Sequence, residues 1–199
     1  MNQAESKKQI ILDIATRVFS KYGYSKTSLD EVAEEARIAK GTIYYYYKNK
    51  QELFLNVVAT QAAQFISEIR RQLKEQKGFE NKLKYFILAP ITYFCNDMQV
   101  WFEGLNSLPF NFGDELGDFH QKISGHMLEI LQAIIQEGIA EDMIAKDIPH
   151  DRLLEVINDW FLVGNAPLMF TDFNALLKRI ERDHEIIVQL IMYGIVKRG

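Results

Sequence analysis

The chain has 199 residues, 48% of them hydrophobic and 25% charged, with a net charge of −4. That length buries a sizeable core and fits one or two domains, while 4 prolines and 11 glycines are too few for a turn-rich all-β sandwich or barrel, so the composition points to an all-α protein. No apolar run reaches membrane length, residues 1–8 lack the apolar core of a signal peptide, and the single Cys95 allows no internal disulfide, which together predict a cytoplasmic protein without membrane contact.

The first helix is predicted over residues 5–22. Ile10, Ile14, Val18 and Tyr22 form one stripe, with Ile11, Ala15 and Phe19 beside it, and Gly23 ends it. A short second helix follows. Ser28 and Glu31 have the spacing of a capping box, in which the hydroxyl accepts an orphan backbone N–H and the carboxylate reaches back. Leu29, Val32, Ala33 and Ala36 make its buried face. Arg37-Ile38-Ala39 is a turn, and a third helix runs from Lys40 to Tyr46. Asn49 is the expected N-cap of a long fourth helix that carries Glu52 in its first turn and Leu53, Phe54, Val57, Val58, Phe65, Ile69 and Leu73 at helical spacing, as far as Lys77-Gly78.

Helices are predicted over residues 79–97, where Pro90 should kink or break the helix, over 99–108, 114–138, 150–170 and 173–196, with a loop at residues 110–113. No segment shows sustained period-two alternation. The expected architecture is about nine helices and no sheet: a helix-turn-helix domain over residues 1–50 and a helical domain over residues 51–199.

Two short helices around a three-residue turn, preceded by a long amphipathic helix, make a helix-turn-helix, whose second short helix enters the major groove of DNA. Charge agrees with this placement. Residues 1–53 carry nine Lys or Arg against seven Asp or Glu, a net +2, which leaves −6 for the remainder. Between Glu35 and Glu52 stand Arg37, Lys40, Lys48 and Lys50 with no acid among them, a local cationic footprint. On the third helix Ile43 and Tyr47 lie four apart and face inward, the tyrosine with its hydroxyl at the edge, which turns Lys40, Thr42, Tyr45 and Tyr46 outward. Four consecutive tyrosines, Tyr44 to Tyr47, cannot all face one core when successive residues turn by about 100°. Lys40 can reach a base edge or a phosphate, Gly41 admits a close backbone approach, and Thr42 offers a hydroxyl and a methyl to base edges. Tyrosine hydroxyls and Lys50 suit phosphates.

The stretch from Thr27 to Ala36 (TSLDEVAEEA) and that from Lys40 to Phe54 (KGTIYYYYKNKQELF) resemble the tetracycline-repressor (TetR) family. That resemblance covers the first quarter of the chain. It implies base contacts for Lys40, Gly41, Thr42 and Tyr45, and backbone contacts for Tyr44, Tyr46 and Lys50. Arg37 stands where the family usually has the turn glycine; a left-handed arginine there costs on the order of 1 kcal/mol, and its guanidinium is a candidate phosphate contact. Leu29 occupies a position where the family often has a phosphate-binding hydroxyl, which leaves Ser28 as the hydroxyl at that helix start.

The resemblance further implies a sensor domain with a ligand pocket and a dimer interface. Tyr93, Phe94, Trp101, Phe102, Phe119, Trp160, Phe161 and Met169 are the aromatic and apolar candidates for the pocket, suited to an apolar or amphipathic effector. Val156, Val163, Leu176, Ile180, Ile187, Leu190, Ile191 and Ile195 on the last two helices are the candidates for an isologous four-helix interface. The function expected is a sequence-specific transcription regulator: a homodimer that represses from a palindromic operator on double-stranded DNA and is released by a small molecule. No cofactor and no metal is expected, since His120 and His126 are six apart and share no helix face. An all-helical enzyme has no nucleophile–base pair, carboxylate pair or phosphate loop in its favour. A protein-binding module using the tyrosine face would lack the steep salt dependence of DNA binding.

Overall fold

A computed structural model describes residues 3–97 and 113–144, with isolated positions 149, 153, 154, 182, 192 and 194. Six helices make up these segments: α1 (Gln3–Lys26), α2 (Leu29–Glu35), α3 (Lys40–Tyr46), α4 (Lys50–Glu75), α5 (Phe79–Asp97) and α6 (Gly113–Ala140). No strand occurs among the described residues. The helices expected at 99–108, 150–170 and 173–196 lie outside them. The described chain divides into two compact units, one of residues 3–64 and 113–114 and one of residues 65–97 and 115–144; α4 begins in the first and ends in the second.

In the first unit the buried stripe of α1 is Ile11, Leu12, Ala15, Val18 and Phe19. This corrects the expected stripe: Ile10 is 46% exposed and Tyr22 49%. Ile10 precedes Ala15 by five residues, about 140° round the helix, so it cannot share the face centred on Ala15. Gly23, with φ 78° and ψ 166°, interrupts α1 where the sequence predicts an end, and a single turn continues to Lys26. That turn seats Tyr24 in the core, where its ring meets Phe54 at 4.8 Å while Phe19 meets Phe54 edge-on at 5.1 Å. Leu29, Val32 and Ala33 of α2, Ile43 and Tyr47, and Leu53, Phe54, Val57 and Val58 of α4 complete this core. Ala36 is only half-buried, because it is the C-cap of α2 and already leaves the packed face.

The second unit is built on Ile66, Ile69 and Leu73 of α4, Phe79, Leu83, Phe86 and Ile87 of α5, and Met127, Ile130, Leu131, Ile134 and Ile135 of α6. Pro90 is buried inside α5; it supplies no N–H to the ladder, yet the helix continues to Asp97 rather than breaking. Gly138 lets α6 approach α5, since a Cβ at that position would stand 2.5 Å from Cδ2 of the buried Phe79. A half-buried ion pair, Lys82 to Glu137 at 2.6 Å, fastens the same two helices. No described helix is long and apolar enough to cross a membrane.

Candidate nucleic-acid interface

Two capping motifs fix α2. At its start the Ser28 hydroxyl accepts the Glu31 N–H at 3.2 Å, and the Glu31 carboxylate accepts the Ser28 N–H at 2.7 Å, the capping box expected from the spacing. At its end the Arg37 N–H donates to the Glu34 carbonyl and the Ile38 N–H to the Ala33 carbonyl, at 3.0 and 3.1 Å. This is a Schellman closure with Arg37 as the left-handed residue, at φ 53°. Arg37 therefore closes α2 without a glycine at the left-handed position. Arginine occupies the strained backbone and presents an exposed guanidinium beside α3 in sequence.

α3 packs on the core through its inner face. Ile43 and Tyr47 are 0% and 1% exposed, whereas Tyr45 is 81% exposed and Tyr44 47%. The Tyr45 and Tyr46 rings meet edge-on at 5.0 Å, so the outer aromatic pair is mutually braced. Lys40 and Gly41 are exposed and Thr42 half-buried, all at the start of the helix. A Cβ at Gly41 would meet nothing within 4 Å among the described residues, so their packing does not require the glycine. Tyr47 departs from expectation, because its hydroxyl is buried rather than at the edge and has no hydrogen-bond partner among the described residues. Burial pushes its phenol well above the usual tyrosine range.

The cations differ in their engagement. Lys40 is paired with Asp30 of α2, its ammonium 2.6 Å from Oδ1 and 2.7 Å from Oδ2, and it lies 5.7 Å from the Tyr44 ring centroid. That hydrogen bond holds the Lys40 ammonium above the usual lysine range. Lys50 is half-buried and donates to the Tyr24 carbonyl at 3.0 Å. Lys48 is exposed; its backbone N–H donates to Glu52, while Glu52 N–H donates to the Asn49 side chain at 2.8 Å, the N-cap expected for α4. The bonds to Asp30 and Tyr24 span 10 and 26 residues, and no helical spacing announces them. Ser28, Arg37, Lys40, Gly41, Thr42, Tyr44, Tyr45, Tyr46 and Lys50 all belong to the first compact unit.

The pocket candidates fare differently. Tyr93 stacks on Phe65 with centroids 4.0 Å apart. Beside this stack lies a groove of about 460 Å³, walled by Phe65, Ile69, Tyr85, Leu88 and Tyr93 and rimmed by Glu68, Gln76, Asn81 and Lys84. Hydrogen bonds from Arg71 and Gln72 bring the Glu68 carboxyl down to about 2. Phe119 lies on α6, but its side chain, like Phe94, Trp101, Phe102, Trp160, Phe161, Met169 and the whole set of interface candidates, is outside the described residues. Among the described residues, no group of three or more His, Cys, Asp or Glu side chains is placed to hold a metal ion.

Residues 11–57 match the family model described as "Bacterial regulatory proteins, tetR family". The chain is 35% identical, over an alignment 215 positions long with gaps, to the "Probable acrEF/envCD operon repressor" of Escherichia coli (strain K12), covering 94% of this chain and 96% of that one. The chain belongs to the tetR family. Another relative is the "Fatty acid metabolism regulator protein" of Bacillus subtilis (strain 168), 26% identical over 148 residues, 74% of this chain and 76% of that one. Two solved structures share the fold of this chain. FadR from Bacillus subtilis, in complex with stearoyl-CoA, has a TM-score of 0.63 at 24% identity, covering 94% of this chain and 98% of that one. A transcriptional regulator from Cytophaga hutchinsonii has a TM-score of 0.76 at 21% identity, with 95% and 98% covered. As a tetR-family member the protein is a transcription regulator rather than an enzyme, and α2–turn–α3 is its DNA-binding helix-turn-helix.

Proposed function

We propose that the protein is a ligand-released repressor that acts in the cytoplasm as a homodimer on a palindromic operator. Lys40, Gly41, Thr42 and Tyr45 meet base edges; Ser28, Arg37, Tyr44, Tyr46 and Lys50 meet the phosphate backbone. The observation that carries this reading is the split character of α3: Ile43 and Tyr47 lock one face into the core while Tyr45, at 81% exposure, stands out on the other. A bulky aromatic so exposed on a seven-residue helix contributes little to folding.

The effector is apolar or amphipathic, and the long-chain acyl class is favoured by two similarities, to a fatty acid metabolism regulator and to a structure holding stearoyl-CoA. It binds within residues 51–199, where Tyr93 and the other aromatic candidates lie, and the apolar candidates from Val156 to Ile195 supply the twofold interface. α4, which has residues in both compact units, is the lever. The effector lowers DNA affinity only to the extent that it binds the released arrangement more tightly than the DNA-bound one. The test is selection of a duplex from a randomised pool, followed by titration of the complex with a long-chain acyl-CoA. An inverted repeat bound by two copies and released by the acyl-CoA is expected. Failure to enrich any duplex overturns the DNA reading, and a complex indifferent to acyl-CoA overturns the effector class.

A further inference from the structure

We propose that Asp30 is a specificity-determining residue: by pinning Lys40 it prevents that cation from seeking phosphates and leaves it as a directed donor to a base edge. The inference rests on α3 being the reading helix. A lysine ammonium is a compact point charge on a flexible stem, and beside a duplex its default partner is the nearest phosphate, an interaction that carries no sequence information. Here both Asp30 oxygens lie within 2.7 Å of Lys40 Nζ, and the ammonium stands 5.7 Å from the Tyr44 ring centroid. Two consequences follow. The pair is formally neutral, so it adds nothing to counterion release. The carboxylate can take two of the three ammonium protons, which leaves the third for an acceptor reached from the start of α3. The partners are both exposed, and an exposed pair contributes little to stability, so its effect belongs to binding rather than to folding.

The test compares wild type, Asp30→Asn and Glu34→Gln on two duplexes, the one wild type selects from a randomised pool and a scrambled version of it, across a series of salt concentrations. Glu34→Gln removes the same charge from an exposed position one turn along α2 and controls for charge alone. Asp30→Asn is expected to tighten binding to the scrambled duplex and to steepen its log–log salt slope by about one for each reading helix. The ratio of selected to scrambled affinity should fall about fivefold or more, the scale of one base-directed hydrogen bond. Glu34→Gln should leave that ratio within about twofold, and both variants should keep the melting transition of wild type, as ordinary surface changes do. An Asp30→Asn variant that keeps the wild-type ratio and slope, or a Glu34→Gln variant that loses the ratio equally, overturns the proposal. If wild type selects no duplex, the DNA reading has failed instead, and the two failures are thereby told apart.

Discussion

Lys50 reaches back across the first compact unit to Tyr24: its ammonium donates to the Tyr24 carbonyl at 3.0 Å and lies 4.3 Å from the centroid of the Tyr24 ring. The first residue of α4 is thus tied to the last turn of α1, over the aromatic cluster of Phe19, Tyr24 and Phe54. Burial raises the Tyr24 phenol above its usual value, so the ring faces the lysine as a neutral π-surface. A residue expected only to touch phosphate has a second role inside the protein.

Lys50→Met keeps the aliphatic stem but removes the charge-assisted bond and the cation–π interaction. It should destabilise the free protein by about 1–2 kcal/mol. The Tyr24 carbonyl also accepts the Thr27 N–H at 3.3 Å, which limits the loss. Chemical denaturation without DNA is the measurement; unchanged stability would mean the tie carries nothing.

Arg37 occupies a left-handed backbone conformation at φ 53°. Arg37→Gly should relieve about 1 kcal/mol of strain, less a few tenths for the added freedom of the unfolded chain, and so raise stability. If the guanidinium meets phosphate as proposed, the same variant should also lower the salt dependence of DNA binding by about one for each reading helix. A stabilised variant with an unchanged salt slope would remove Arg37 from the interface.

How much of the fold and site is legible in the residues alone depends on the sequence range of the interactions. Capping at Ser28–Glu31 and Asn49–Glu52 is readable because both partners lie within one turn and the side-chain chemistry is local. Ile43 and Tyr47 facing inward follows from their spacing of four. The stripe of α1 is harder to place, because apolar residues fill nearly its whole inner half and periodicity alone does not say which arc the partner helices cover. Ion pairs such as Asp30–Lys40 and Lys82–Glu137 join separate elements, so no spacing rule reaches them. The tyrosine run announces exposure but not which hydroxyl is buried; Tyr47 takes the core position because Ile43 fixes the helix phase.

Tyr47 buries a hydroxyl without a partner among the described residues. Tyr47→Phe removes that desolvated group while the ring keeps its packing. The variant should therefore be as stable as wild type or more stable by about 1 kcal/mol, a direction opposite to most core changes. Thermal melts decide it; a clear destabilisation would show that the hydroxyl is satisfied, for instance by a bound water.

Gly138 holds α6 against Phe79. Because a Cβ there would stand 2.5–2.8 Å from three ring carbons of a side chain only 1% exposed, Gly138→Ala should destabilise the second unit by about 1–3 kcal/mol despite the better helix propensity of alanine. A more stable variant would mean that the ring shifts freely. The proposed DNA contacts lie in the first unit, so affinity measured below the melting transition should be unchanged.

The most direct measurement is the affinity of Tyr45→Ala for the duplex that wild type selects, taken together with its melting temperature. Tyr45 is 81% exposed, so its truncation should leave stability within about 0.5 kcal/mol. Affinity for the selected duplex should nevertheless fall about tenfold or more, the scale expected when each of two reading helices gives up one base partner. A folded Tyr45→Ala protein that binds the selected duplex as tightly as wild type would contradict the assignment of α3 as the surface that reads DNA.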